Sequence, residues 1–194
     1  SGGDATGDTY TSIENVRGSN FDDVLTGSAG VNSLTGGNGN DLLDGGAGAD
    51  TLNGLAGTDT ATYAASNAAV NINLLTNINT GGFAEGDSLA VENVIGSAFN
   101  DVLQGGAGDN VLTGGNGDDV FQGLGGADTL VGGAGIDRAS YSFSSAAVTV
   151  NLTTGTGSGG DAQGDILSGI ENVTGTIQND ALTGDAGANL LAGG

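Results

Sequence analysis

The chain has no lysine, histidine, cysteine, methionine, tryptophan or proline. Arg17 and Arg138 are its only strong bases, set against 23 acidic residues and a net charge of −21. Nucleic acid needs Lys and Arg to neutralise its phosphates, and an anionic membrane surface needs a basic patch, so both are excluded as partners. Without cysteine there are no disulfide staples, and the redox compartment stays open. Without His or Cys, zinc, copper and iron–sulfur sites are excluded. No apolar run approaches the roughly 18 residues of a membrane span, and no signal peptide is visible at the N-terminus. The partners that fit such a surface are cations.

What the chain does have is glycine, 41 residues of it. Glycine at that level ordinarily marks a flexible, low-complexity chain. Here it is periodic. A glycine opens a nine-residue phrase at Gly18, Gly27, Gly36, Gly45 and Gly54, at Gly96, Gly105, Gly114, Gly123 and Gly132, and at Gly175 and Gly184. The sixth position is Asp or Asn in every copy: Asp23, Asn32, Asp41, Asp50, Asp59, then Asp101, Asn110, Asp119, Asp128, Asp137, then Asp180 and Asn189. The eighth is apolar throughout, from Leu25, Leu34, Leu43, Leu52 and Ala61 to Leu191. The same apolar step reaches back to Val16, Val94 and Val173 in the phrase "ENV", with Glu14, Glu92 and Glu171 at position six, and forward to Val70 and Val148.

A longer period lies above the short one. Seven nonapeptides make a block, and a break follows. The expected organisation is the tail of a preceding linker (1–8), block one (9–71), a linker (72–86), block two (87–149), a linker (150–165) and a truncated block three (166–194). That arrangement reads as a slice through a longer array. Val70, Ile72 and Leu74, like Val148, Val150 and Leu152, alternate as a strand entering each break.

One obligate apolar position in nine cannot make a helix face. It suits a short strand with one side chain inward, and the other six residues must then turn the chain, which glycine permits. Strand and turn repeated in register give an all-β parallel solenoid with no significant helix, its layers about 4.8 Å apart. Such a coil is weak alone. Each nonapeptide buries about one aliphatic side chain, worth roughly 2 kcal/mol, while ordering costs roughly 1–2 kcal/mol per residue. Stacked carboxylates about 5 Å apart repel by on the order of 3 kcal/mol. The available ligands are carboxylate, amide and carbonyl oxygens, which select a hard cation. Calcium, with six to eight oxygens in flexible geometry, fits better than magnesium.

"GGAGADTLN" (45–53) and "GGAGDNVLT" (105–113) resemble the GGxGxDxUx nonapeptide of the RTX (repeats-in-toxin) family, and "GDxLxxIENVxGS" resembles the linkers between RTX blocks of large secreted bacterial proteins. The resemblance covers roughly the whole chain. It implies a parallel β-roll in which two nonapeptides make one coil and calcium sits between turns i and i+2, roughly two to four ions per complete block. The earlier turn would give the carbonyls of positions two and four with its aspartate. The later turn would give positions one and three with its own. Carried over, Gly37, Gly39 and Asp41 would join Gly54, Ala56 and Asp59, and Gly115, Gly117 and Asp119 would join Gly132, Ala134 and Asp137. Likewise Ser19, Phe21 and Asp23 would join Gly36, Asn38 and Asp41, and Ser97, Phe99 and Asp101 would join Gly114, Asn116 and Asp119. On the other edge Ser28, Gly30 and Asn32 would join Gly45, Ala47 and Asp50, and Gly106, Gly108 and Asn110 would join Gly123, Gly125 and Asp128. The all-aspartate edge is expected to bind more tightly than the edge carrying Asn32 and Asn110. Phe21, Phe99 and Gln178 replace the fourth-position glycine, which weakens the case for the first-turn sites.

Other residues have competing roles. Glu14, Glu92 and Glu171 could ligate, cap a first turn or face solvent. Asp8, Asp87 and Asp165 recur before "IENV" and suit an Asx turn as well as a metal. Tyr63 and Tyr141 suit plugs over the end of a roll, Phe121 a core position, and Asp44 and Asp118 a solvated one. The expected function is a non-catalytic, calcium-dependent folding module of a secreted or surface protein exported by type I secretion. It would serve as a spacer, or as a folding aid beside an extracellular protease, lipase or epimerase domain. The alternative is an adhesin or surface-layer module that binds polysaccharide. An enzyme is disfavoured because the carboxylates keep the structural period, and ice binding because positions seven and nine lack a regular threonine rank.

Overall fold

The computed structural model describes residues 11–194; the expected linker tail and Asp8 lie outside the described residues. The fold is all-β, with short strands paired almost entirely in parallel and, among the described residues, only two single-turn 3-10 segments, Gly82–Ala84 and Gly160–Ala162. No helix among the described residues is long and apolar enough to cross a membrane.

The register follows the nonapeptide. Val24, Leu25 and Thr26 pair with Leu42, Leu43 and Asp44, eighteen residues on, and Ser33, Leu34 and Thr35 pair with Thr51, Leu52 and Asn53. Successive strands therefore go to opposite faces, and two nonapeptides make one coil of the β-roll. Position eight points inward because strand side chains alternate. Leu34, Leu43, Leu52, Leu103, Leu112, Phe121 and Leu130 are all buried and form one continuous core with Ala61, Val94 and Ala139.

The two blocks share a sheet. On one face Thr60–Thr62, at the end of block one, pairs directly with Asn93–Ile95, which in turn pairs with Val111–Asn116 of block two. On the opposite face the chain of the first break intervenes. Thr51–Ala56 is followed laterally by Ser88–Ala90, while Asn71–Asn73 starts the next sheet against Val102–Gln104. The antiparallel bridge between Asn71 and Thr80 lies between them. The second break repeats this on the other face as a complete sheet: Thr129–Ala134, Ile166–Ser168, the antiparallel Thr156–Ser158, Thr149–Asn151 and Ala181–Thr183. In each break three chain segments stand on one face where the alternation calls for one strand.

The sequence-derived ladder is corrected at its seventh rung. The partner of Leu103 is Ile72, and that of Leu182 is Val150, so the step from Ala61 or Ala139 is eleven residues. The reason is the intervening turn. Ser66 and Ser144 close it with their side chains rather than with a glycine motif, and it consumes two residues more. Val70 and Val148 are buried beside the rung rather than on it. Tyr63 and Tyr141 are likewise interior residues and not end plugs, because the roll continues past them.

A core one side chain wide cannot repack around a loss. Leu43→Ala, at a fully buried rung, is expected to cost about 2–5 kcal/mol. Urea unfolding in saturating calcium would measure this. Val24→Ala, on the exposed side of the same strand, should cost well under 1 kcal/mol in the same assay.

Candidate metal centre

The sixth-position side chains form two hydrogen-bonded columns, one along each edge of the roll. In each, a carboxylate Oδ1 accepts the backbone N–H of the sixth-position residue one coil earlier. Asp23 N–H donates to Asp41 at 2.8 Å, and Asp41 N–H to Asp59 at 2.8 Å. Asn32 N–H donates to Asp50, Asp101 N–H to Asp119, Asp119 N–H to Asp137, and Asn110 N–H to Asp128. The stacking of every second nonapeptide expected within each block is thus present.

Residues at and just after the breaks complete these columns. Asp59 N–H donates to Glu92 Oε2 and Asp137 N–H to Glu171 Oε2, both at 2.8 Å. Asp50 N–H donates to Asp87 at 2.7 Å, and Asp128 N–H to Asp165 at 3.0 Å. Glu92 and Glu171 do not sit idle in solvent, and Asp87 and Asp165 are ladder members rather than local turn formers. The glutamates also splice the blocks. The Glu92 carbonyl accepts Asn110 Nδ2–H at 2.6 Å, so the Asp23–Asp41–Asp59 stack of block one continues into the Asn110–Asp128 stack of block two. Asp87 and Asp165 each spend their second oxygen on a buried tyrosine hydroxyl, Tyr63 and Tyr141, at 2.9 Å.

The other side-chain oxygens divide the turns into two kinds. In the opening turns a side-chain oxygen, the second of an aspartate or the single one of an asparagine, is satisfied by the N–H of position two in the same turn. Ser19 N–H donates to Asp23, Ser28 N–H to Asn32, Ser97 N–H to Asp101, Gly106 N–H to Asn110, Thr176 N–H to Asp180 and Asp185 N–H to Asn189. In the later turns it has no donor. The Oδ2 atoms of Asp41, Asp50, Asp59, Asp119, Asp128 and Asp137 are buried without a hydrogen-bond partner, in side chains no more than 2 % exposed. The backbone accounts for the difference. Position two of these six turns is Gly37, Gly46, Leu55, Gly115, Leu124 or Gly133, and all six have positive φ, from 70° to 135°. That rotation removes the position-two N–H from the carboxylate. Leu55 and Leu124 adopt it despite their side chains, a strained state that marks a constraint at this position.

The orphaned oxygens lie against position one. A Cβ on Gly36, Gly54 or Gly114 would fall on the Oδ2 of Asp41, Asp59 or Asp119. The site therefore needs glycine there for room. Among the described residues no three acidic side chains gather around one point, so a cation must take much of its shell from backbone carbonyls. That donor set, hard and all oxygen, fits calcium. Of the carbonyls named from the motif, Ala56 O and Ala134 O each already accept one N–H, from Gly39 and Gly117, at 2.9 Å.

A third row was missed from sequence. At position five, Asp22 accepts Asn40 N–H and Asn40 accepts Thr58 N–H; Asn100 and Asp118 repeat the pattern with Asp118 and Ile136. Asp118 is exposed as expected, yet bonded. The recurrence of Asp or Asn at this position was the available signal. Asp44 accepts the Gly46 N–H at 3.0 Å.

Burial without a counter-charge raises the pKa of Asp41, Asp50 and Asp137, and lifts Asp119 to about 6 and Asp128 to about 7, with neighbouring carboxylates adding to the effect. These values lie above the unfolded value of about 3.9, so the fold holds these protons more tightly than the unfolded chain does. The metal-free roll is therefore least favoured above about pH 7 and gains stability as pH falls toward about 4. Calcium requires the ionised form and should bind more weakly over the same fall. Circular dichroism in chelator from pH 8 to 4.5, with calcium titrations at each pH, would show both trends in opposite directions. Gly36→Ala should weaken calcium-dependent folding at any pH, read as a higher calcium midpoint.

The sequence profile of the RTX calcium-binding nonapeptide repeat matches residues 10–43, 17–52, 26–61, 91–121, 104–139 and 165–194. The stretches between these matches, 62–90 and 140–164, are the breaks of the roll. A search of curated proteins found no match. Together the matches cover well over half of the chain, and the protein belongs to the RTX calcium-binding nonapeptide repeat family.

Proposed function

We propose that this calcium-binding repeat array is a folding module that is unfolded where calcium is scarce and folds on meeting it outside the cell. The observation that carries the reading is the set of six buried carboxylate oxygens with no donor. Leaving a buried polar group unsatisfied costs about 1–3 kcal/mol, and more for a charged one. Six together reach the whole stability of an ordinary domain, about 5–15 kcal/mol. The roll does not carry that burden metal-free at neutral pH, and a cation at each removes it.

In this reading Gly37, Gly39 and Asp41 with Gly54, Ala56 and Asp59 hold one ion, and Gly115, Gly117 and Asp119 with Gly132, Ala134 and Asp137 hold its counterpart. Bound calcium supplies the positive charge that lets stacked carboxylates share a column. The chain's own part is to present carbonyls through flipped peptides and to exclude side chains at position one. Extracellular calcium modules bind at roughly 0.1–1 mM, above cytosolic calcium and near extracellular levels. This supports passage through a type I exporter as an unfolded chain, followed by folding outside. The role is that of a spacer or folding aid in a larger secreted or surface protein; the repeats of this family are generally non-catalytic.

The test is circular dichroism through a calcium titration at pH 7.5. Unfolded spectra in chelator and a cooperative gain of β-structure below about 10 mM calcium are expected. A chain that is already folded in chelator, or one that gains nothing from calcium, would overturn the proposal. Magnesium at the same concentrations should not substitute.

A further inference from the structure

The twelve nonapeptide turns are not equivalent toward a cation. Six have a side-chain oxygen already bonded by their own position-two N–H, and six have an orphaned one. The residue at position six is constrained differently in the two kinds. Every orphaned turn carries Asp. Among the hydrogen-bonded turns, Asn32, Asn110 and Asn189 stand beside Asp23, Asp101 and Asp180. A neutral amide suffices where an N–H is the partner, because its carbonyl oxygen accepts as well as a carboxylate does. A full negative charge is kept wherever no donor exists. Backbone rotation at position two thus marks these six turns, and a charged position six is invariant among them, while three of the six hydrogen-bonded turns do without it.

We infer that only the turns of Asp41, Asp50, Asp59, Asp119, Asp128 and Asp137 hold calcium, at most one ion each. The turns of Asp23, Asn32, Asp101, Asn110, Asp180 and Asn189 are hydrogen-bonded, metal-free starts to each block. The inference rests on the calcium reading above and narrows it. To load an opening turn, the position-two peptide would have to rotate out of its bond to the side chain. Ser19, Ser28, Ser97, Thr176 and Asp185 would each take on the strain of an L side chain at positive φ, as Leu55 and Leu124 do, and would also give up an existing bond to position six. Gly106 is free to rotate, but its turn offers only the neutral Asn110. The opening turns therefore provide a folded edge on which the loaded turns stack, and each block's ions are separated from the next block's by bonded turns.

The experiment counts ions in the whole chain. Equilibrium dialysis at saturating calcium, with atomic emission for the metal and circular dichroism for the fold, is applied to the natural sequence and to Asp23→Asn, Asn32→Asp and Asp41→Asn. The expected result is no more than six ions in the natural chain, the orphaned oxygens setting the limit. Asp23→Asn and Asn32→Asp should keep that count, and Asp41→Asn should lose at least one ion. More than six ions, a loss from Asp23→Asn, a gain from Asn32→Asp or an unchanged count in Asp41→Asn would each overturn the inference. A natural chain that binds no calcium would overturn the calcium reading itself. Should Asp41→Asn not fold, the two opening-turn variants decide the matter, since their position-six bond survives either substitution.

Discussion

A buried carboxylate oxygen with no donor is the constraint around which this fold is organised. Each such oxygen follows from one backbone choice, positive φ at position two, and that choice is made in six turns, including two where the residue is leucine. Glycine at position one leaves room beside the oxygen, and the flipped peptide takes the position-two N–H away from it. A local arrangement that would be a fault in an ordinary core becomes an interior built for an external charge. The hydrophobic core, one side chain wide, is too thin to hold the roll against it.

The same columns are metal-independent in their other half. The Oδ1 atoms of Asp41, Asp50, Asp59, Asp119, Asp128 and Asp137 each tie one coil to the coil before it through a backbone N–H, and the position-five row repeats that tie on the outside of the turns. Where the motif stops, other groups take over the second oxygen. Tyr63 and Tyr141 place hydroxyls on Asp87 and Asp165, supplying the donor that the six orphaned oxygens lack. In each break the carboxylate thus has both oxygens hydrogen-bonded, and Glu92 carries the column across the first.

Much of this was legible in the sequence because the repeat is strict. Period nine, inward Leu at position eight and Asp at position six pointed to a parallel solenoid, and the resemblance to the RTX nonapeptide implied the eighteen-residue register and the stacking of Asp41 with Asp59. The breaks were less legible because they abandon the period. The eleven-residue step to Ile72 depends on a serine-closed turn, and the use of Glu92 and Asp87 as column members depends on contacts 33 and 37 residues apart. The division of turns was the least visible part. It depends on a dihedral angle, and Leu55 and Leu124 give no hint of positive φ by residue type.

Each break widens one face of the roll by two strands, about 10 Å at the usual spacing, and so acts as a wedge. A block holds an odd number of turns, so successive wedges enter from opposite faces. The first lies on the face of Ser88–Ala90 and the second on that of Ile166–Ser168. Over two consecutive breaks the added width is therefore shared equally between the two faces, and neither gains on the other.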